Sequence, residues 1–278
     1  MRTIFCTLAL LLFCISLTKA QDENIYVWSD HWLPVWQELR GSFLEPNRFA
    51  TAFDFKPQWY RLEAGFGGEF LRISTVAVGA EGLIWSGLEA FKDFRFPVQT
   101  ADYFFGAYSI FPLPLWGANL DPWRMRFRLG HISSHLVDGS PSVTAGSSSQ
   151  FSREFISLET LFDETEKNRF RLSFGIKYVF HQIQDIEQKL QFPAVLDFIA
   201  YNKGSNQLFA TISTAAGPTL ATYSAGITFR RTLESRSIAD LYAEYHAGRS
   251  RYGVYSVQQQ DGFEVGIRVS AKKELEKK

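Results

Sequence analysis

A chain of 278 residues with a formal net charge of +0 and a mean hydropathy of −0.11 excludes two classes at the outset. Balanced charge argues against a nucleic-acid partner, and after residue 20 no stretch approaches the ~20 consecutive apolar residues of a spanning helix. Aromatic residues make up 16% of the chain, with Phe 26, Tyr 11 and Trp 7, a load that suits a β-barrel with aromatic girdles better than a soluble domain.

Met1 to Ala20 reads as a secretory signal peptide. Arg2 supplies the positive start, Ile4 to Leu17 the apolar stretch, and Thr18-Lys19-Ala20 a cleavage site before Gln21. A membrane anchor fits less well, because the apolar run is short and stops at Lys19. Both cysteines, Cys6 and Cys14, lie in this leader. The mature protein is therefore expected to have no disulfide and no cysteine metal site. Phe13 argues against lipoprotein cleavage ahead of Cys14.

Gln21 to Asn47 does not alternate. Trp28, Trp32 and Trp36 would share a helical face, but Pro34 interrupts the turn. This segment is expected to be periplasmic or interfacial, covering one end of a barrel, and no chemistry is assigned to it.

From Arg48 onward, strand-like stretches recur between turn residues. The expected strands are 48–55, 61–75, 82–95, 101–114, 122–136, 151–163, 168–181, 193–202, 206–215, 221–231, 237–248 and 262–271. The chain over 48–271 is thus expected to be all-β, a transmembrane antiparallel β-barrel of about 12 strands. In lipid only helices or closed strand systems satisfy the backbone, and the helices are missing from the pattern. The tail 272–278 is charged.

The alternation is sharpest in the second half. Phe170, Leu172, Phe174, Ile176, Tyr178 and Phe180 oppose Arg169, Arg171, Ser173, Gly175 and Lys177. The stretches 221–231, 237–248 and 262–271 behave alike, whereas 101–114 and 193–202 are mixed. In Trp123 to Leu136 one face carries Trp123, Met125, Phe127, Leu129, His131, Ser133 and His135. The other carries Arg124, Arg126, Arg128, Gly130, Ile132 and Ser134. Three arginines without partners cannot sit in a dry core. The strand therefore separates an apolar medium from a charged one. A narrow lumen lined by arginine and glutamate is expected to be plugged by ion pairs and water, with a selective anion channel as the alternative.

Loop lengths orient the chain. If the first strand rises from the periplasm, Val76 to Glu81, Leu115 to Asp121, Glu164 to Lys167, Asn202 to Ser205 and Thr232 to Arg236 are the short periplasmic turns. Val137 to Gln150, His181 to Phe192 and Arg249 to Asp261 are then long external loops, the usual bacterial pattern. In that frame His131 and Ser133 lie near the outer end of their strand and point toward lipid.

They are same-face neighbours. A serine hydroxyl needs an adjacent base, usually a neutral imidazole, and that base needs an orienting group. Glu154 shares the parity of Ile156, Leu158, Thr160 and Phe162 and so also points outward. Closing the hairpin with Val137 opposite Gln150 would set Ser133 opposite Glu154, with the carboxylate reaching His131 diagonally. A one-residue slip would turn Glu154 into the lumen. The expected catalytic set is Ser133, His131 and Glu154. The oxyanion donors are not legible.

His131-Ile132-Ser133 resembles the His-x-Ser of two outer-membrane lipid hydrolases, outer membrane phospholipase A and lipid A deacylase. Those families carry the pair on the lipid-facing wall, completed by Asn or Glu from a neighbouring strand. The resemblance implies a serine-type acyl hydrolase of lipid A or phospholipid, with Glu154 in the third role. A second resemblance covers more of the chain. HISSHLVDG, Ala101-Asp102-Tyr103, Leu44-Glu45-Pro46-Asn47-Arg48-Phe49 and Tyr252-Gly253 are similar to an uncharacterised bacterial outer-membrane β-barrel family with a His-x-Ser-Ser-His-Leu motif followed by Gly-Asp-Glu. Val137 and Gly139 depart from that pattern, leaving Asp138 as its acid. This family implies the barrel but no reaction.

The alternative is a non-catalytic structural barrel or narrow selective channel, in which the rim Ser, His and Glu only meet lipid headgroups or loop backbone. No metal or other cofactor is expected. His131 and His135 stand ~13 Å apart along a strand, too far for one ion. Asp138 offers a carboxylate to a loop calcium without an identified second ligand. The expected partners are outer-membrane lipid and, during biogenesis, the barrel-assembly machinery. The barrel is monomer-capable, and the expected location is the bacterial outer membrane.

Overall fold

The computed structural model describes residues 48–55, 58–73, 76–89, 96–112, 123–137, 150–163, 170–183, 189–203, 205–217, 221–233, 237–249 and 259–271. The leader, the segment 21–47, Asp138, Gly139 and the tail 272–278 lie outside the described residues.

Twelve strands follow one another: β1 (Arg48–Phe55), β2 (Gln58–Ile73), β3 (Val76–Glu89), β4 (Val98–Pro112), β5 (Trp123–Leu136), β6 (Gln150–Asp163), β7 (Phe170–Ile183), β8 (Leu190–Lys203), β9 (Asn206–Ala216), β10 (Ala221–Thr232), β11 (Ser237–Arg249) and β12 (Gln259–Ala271). Each pairs antiparallel with its sequence neighbours, and β1 closes on β12 through the run Arg48↔Ser270 to Asp54↔Glu264. The expected all-β barrel is therefore present, and closure leaves no strand edge. No helix among the described residues is long and apolar enough to cross a membrane; the crossing is made by strands. Fourteen-residue strands such as β5 and β6 rise about 3.3 Å per residue, enough when tilted to cross an apolar band of ~25 Å.

Burial decides which medium each face meets. Phe174, Ile176 and Tyr178 on β7, Ile227 on β10, Leu241 on β11 and Ile267 on β12 are all exposed on the outer wall. Large side chains of this kind ring the whole barrel, far beyond the apolar patch a soluble monomer exposes. The arginine face is the inside: Arg126 is 0% exposed and Arg128 1%. The chain is a transmembrane β-barrel with its apolar side out.

The lumenal face is laced with charge pairs. Arg126 Nε donates to Glu159 at 2.9 Å, and Arg128 Nε lies 2.6 Å from Glu81. Arg61 forks onto Glu264 at 2.7 and 3.0 Å and donates to Tyr242 at 3.1 Å. Arg230 forks onto Asp240 at 2.8 and 2.9 Å. Arg–carboxylate forks of this kind hold both partners in plane. Toward the end that carries connection 137–149 the filling turns apolar. Leu83, Trp85, Phe104, Ile132, Phe151, Phe155 and Val179 form one cluster there. This explains why 101–114 reads as mixed: Phe104 on β4 faces inward into that cluster while Phe105 faces out. Gly130 belongs to the same arrangement, since a Cβ there would meet the Phe155 ring at 2.4 Å.

Several boundaries differ from the sequence expectation. Val76 to Glu81 is not a turn but the start of β3, with Ile73 paired to Val76. Within β3 Glu81 faces the lumen, against Arg126 and Arg128. His181 to Ile183, Leu190 to Phe192 and Gln259 to Asp261 are likewise strand rather than loop.

Candidate active site

The expected site residues sit on the outer wall of adjoining strands. On β5 the inward positions Arg126, Arg128, Ile132 and Ser134 are buried, and Phe127, Leu129 and His135 alternate with them as exposed positions. Strict alternation carries this outward facing to His131 and Ser133. On β6 Phe151, Arg153, Phe155 and Ser157 are buried, so Glu154 faces out, as parity requires.

The register differs from expectation by two residues. His131, not Ser133, stands directly opposite Glu154, and Ser133 stands opposite Ser152. A shift of two preserves the face, so all three residues stay on the lipid side. It also replaces a diagonal reach by a direct pair. His131 Nδ1 lies 2.9 Å from Glu154 Oε1, with the two side chains 42% and 28% exposed. A carboxylate only accepts, so Nδ1 carries the hydrogen and the neutral ring keeps its lone pair on Nε2. This is the tautomer a general base needs. The structure thus joins His131 to Glu154. Among the described residues it records no hydrogen bond between Ser133 and His131, two positions apart on the same face.

One member was not legible as a site residue. His181 Nδ1 donates to Glu154 Oε2, so the carboxylate is held by an imidazole on each oxygen. Plain alternation along β7 would send His181 inward with Arg171, Ser173 and Lys177. Instead Val179 pairs with Phe155, His181 pairs with Glu154, and Phe180 is the extra residue of a β-bulge. The bulge places both Phe180 and His181 outside. Its sequence signal is slight: Phe180-His181 follows an apolar outward position with a polar residue where the lumen face is due.

Around Ser133 the cross-strand neighbours are Tyr103 on β4 and Ser152 on β6, and the Tyr103 ring lies 6.3 Å from that of His135. Behind this wall lies the apolar lumenal cluster, which keeps the site's polar groups on the outer surface. Among the described residues the surroundings do not supply the six or more oxygens that a calcium cage wants. Glu154 is taken by two imidazoles, the other neighbours are neutral hydroxyls, and no group of three or more His, Cys, Asp or Glu among the described residues could hold a metal ion.

No protein-family model matches the sequence, and no curated protein matches it. Solved structures do. The chain is similar to the outer membrane phospholipase of Salmonella typhi, solved as a dimer with bound calcium, with a TM-score of 0.56 at 12% identity over 84% of this chain and 95% of that one. It is similar to outer membrane phospholipase A of Escherichia coli, with a TM-score of 0.54 at 12% identity over 82% and 92% of the two chains. An active-site mutant of the Escherichia coli protein gives a TM-score of 0.51 at 12% identity over 81% and 88%. At that identity the likeness speaks for the fold, and the fold it establishes is that of an outer-membrane β-barrel.

Proposed function

We propose that this protein is an acyl hydrolase of outer-leaflet lipid, acting on lipid A or phospholipid, with Ser133 as nucleophile, His131 as base and Glu154 as orienter. One observation carries the reading: a carboxylate holds the Nδ1 side of an outward-facing histidine at 2.9 Å, on the same wall as a serine two residues along. The longer connections, 137–149 and 250–258 among them, mark the external end. In this reading the cluster lies at the level of outer-leaflet ester bonds.

In this reading Ser133 Oγ attacks an ester carbonyl while His131 Nε2 takes its proton. Glu154 stabilises the imidazolium that results. The tetrahedral adduct expels the lipid alcohol, which takes the proton back from His131, and leaves an acyl-serine. Water, activated by His131 in turn, releases the fatty acid and restores Ser133. The resemblance of His131-Ile132-Ser133 to the lipid hydrolases supports this, as does the family-like HISSHL motif for an outer-membrane address. The assembly machinery that folds such barrels is the partner in biogenesis.

A covalent probe tests it. The refolded barrel treated with an alkyl sulfonyl fluoride in detergent micelles is expected to gain one sulfonyl group, mapped by mass spectrometry to the peptide containing Ser133. Fatty-acid release from phospholipid vesicles should fall in parallel. No adduct, with lipid untouched by the untreated barrel, overturns the assignment.

The second reading, a non-catalytic barrel or narrow channel, divides on the lumen. The forks of Arg61 on Glu264 and Arg230 on Asp240, together with the apolar cluster, favour a stopped lumen over a conduit. Planar-bilayer recordings are therefore expected to show no steady current. A steady conductance altered by Arg126→Ala would support the channel instead.

A further inference from the structure

We infer that His181 is a positioning residue for the same site, holding Glu154 so that its other oxygen stays on His131; this rests on the hydrolase reading above.

The argument begins with the glutamate. Its side chain has three rotatable bonds and stands on the outer wall, 28% exposed. A single imidazole partner at a membrane rim leaves it free to swing about that contact. His181 removes the freedom. It donates from Nδ1 to Oε2 while His131 donates from Nδ1 to Oε1. Two donors on the two oxygens fix the carboxylate plane between β5 and β7. In turn that plane fixes which nitrogen of His131 carries the proton.

The backbone is arranged for this. With unbroken alternation, Phe180 would pair with Glu154 and His181 would enter the lumen. The bulge inserts Phe180 between Val179 and His181 and restores an imidazole opposite the acid. Phe180 is itself exposed on the outer wall, so both residues leave the lumen together. A bulge re-aiming a side chain beside a reactive cluster is a common use of this irregularity. His181 is 61% exposed, so it contributes little packing. Among the described residues its side-chain hydrogen bond is the one to Glu154. No carboxylate competes for it from β5 or β6: the outward neighbours of Glu154 along its own strand are Ser152 and Ile156, and Phe105 faces His131 from β4.

A residue acting this way changes turnover more than binding. His181→Ala in the full barrel is expected to lower kcat for fatty-acid release roughly 10- to 100-fold through a misplaced base, with KM for the vesicle substrate nearly unchanged. His181→Gln, whose amide can still donate to Oε2, is expected to restore most of the loss. Thermal unfolding of all three proteins should coincide, since the site is exposed. A second readout needs no turnover. Proton NMR in micelles should show two downfield imidazole N–H signals, of which His181→Ala loses one.

The outcomes separate the two readings. Full activity in Ser133→Ala removes the hydrolase assignment and this role with it. An inactive Ser133→Ala beside wild-type kcat in His181→Ala removes only the role of His181. A common fall in kcat, KM and stability in His181→Ala, unrescued by glutamine, also overturns it, because that is the mark of a merely structural residue.

Discussion

A Ser133→Ala barrel is expected to assemble like the wild type and to lose fatty-acid release by roughly 10³-fold or more, as loss of a catalytic nucleophile does. The substitution removes one oxygen from a half-buried, outward position on β5, between Tyr103 and Ser152. The ladder bonds on both sides come from the backbone, so folding should shift by less than about 0.5 kcal/mol. The adjacent Ser134 cannot take over, since it faces inward and its hydroxyl is engaged with Asp102. Release of fatty acid from vesicles containing phospholipid or lipid A gives the activity. Heat-modifiable migration on a gel gives the assembly. Unchanged release from a folded Ser133→Ala barrel would sink the assignment.

The second large effect is on stability. Replacing Glu159 by alanine is expected to destabilise the barrel by about 3–5 kcal/mol, the usual cost of breaking a buried charge pair from one side. Glu159 is 1% exposed and accepts from Arg126 at 2.9 and 2.5 Å and from Ser157 at 2.7 Å, with Arg128 at 3.2 Å. Without it two buried guanidiniums would lose a carboxylate they share; Glu81 lies 2.6 Å from one and 3.6 Å from the other. Burial makes that charge surplus expensive, because water cannot screen it. Urea unfolding of the refolded barrel, with outer-face Leu158→Ala as a control for altered β6, measures the difference. A loss under about 1 kcal/mol would show that the lumen is wet enough to screen these arginines.

The lumenal network and the rim cluster are chemically separate. Arg126 and Glu159 face inward in the halves of β5 and β6 away from connection 137–149, and His131 and Glu154 face outward in the halves nearer to it. The first therefore sets how firmly the wall stands, and the second what the wall can do to a lipid.

The facing of His131, Ser133 and Glu154 followed from the sequence by itself. So did the outward faces of β7, β10, β11 and β12 and the number of strands. Side-chain direction along a strand is a local property with a period of two, so it needs no knowledge of the partner strand. What pairs with what was left to the tertiary structure. The connection 137–149 is too long to dictate how β5 and β6 close, so the sequence allowed Ser133 opposite Glu154, whereas the ladder sets His131 there. The start of β3 at Val76 was decided by its ladder with β2, where Val76 pairs with Ile73. The place of His181 was decided by one extra residue in β7, because a bulge breaks the very alternation from which facing is read.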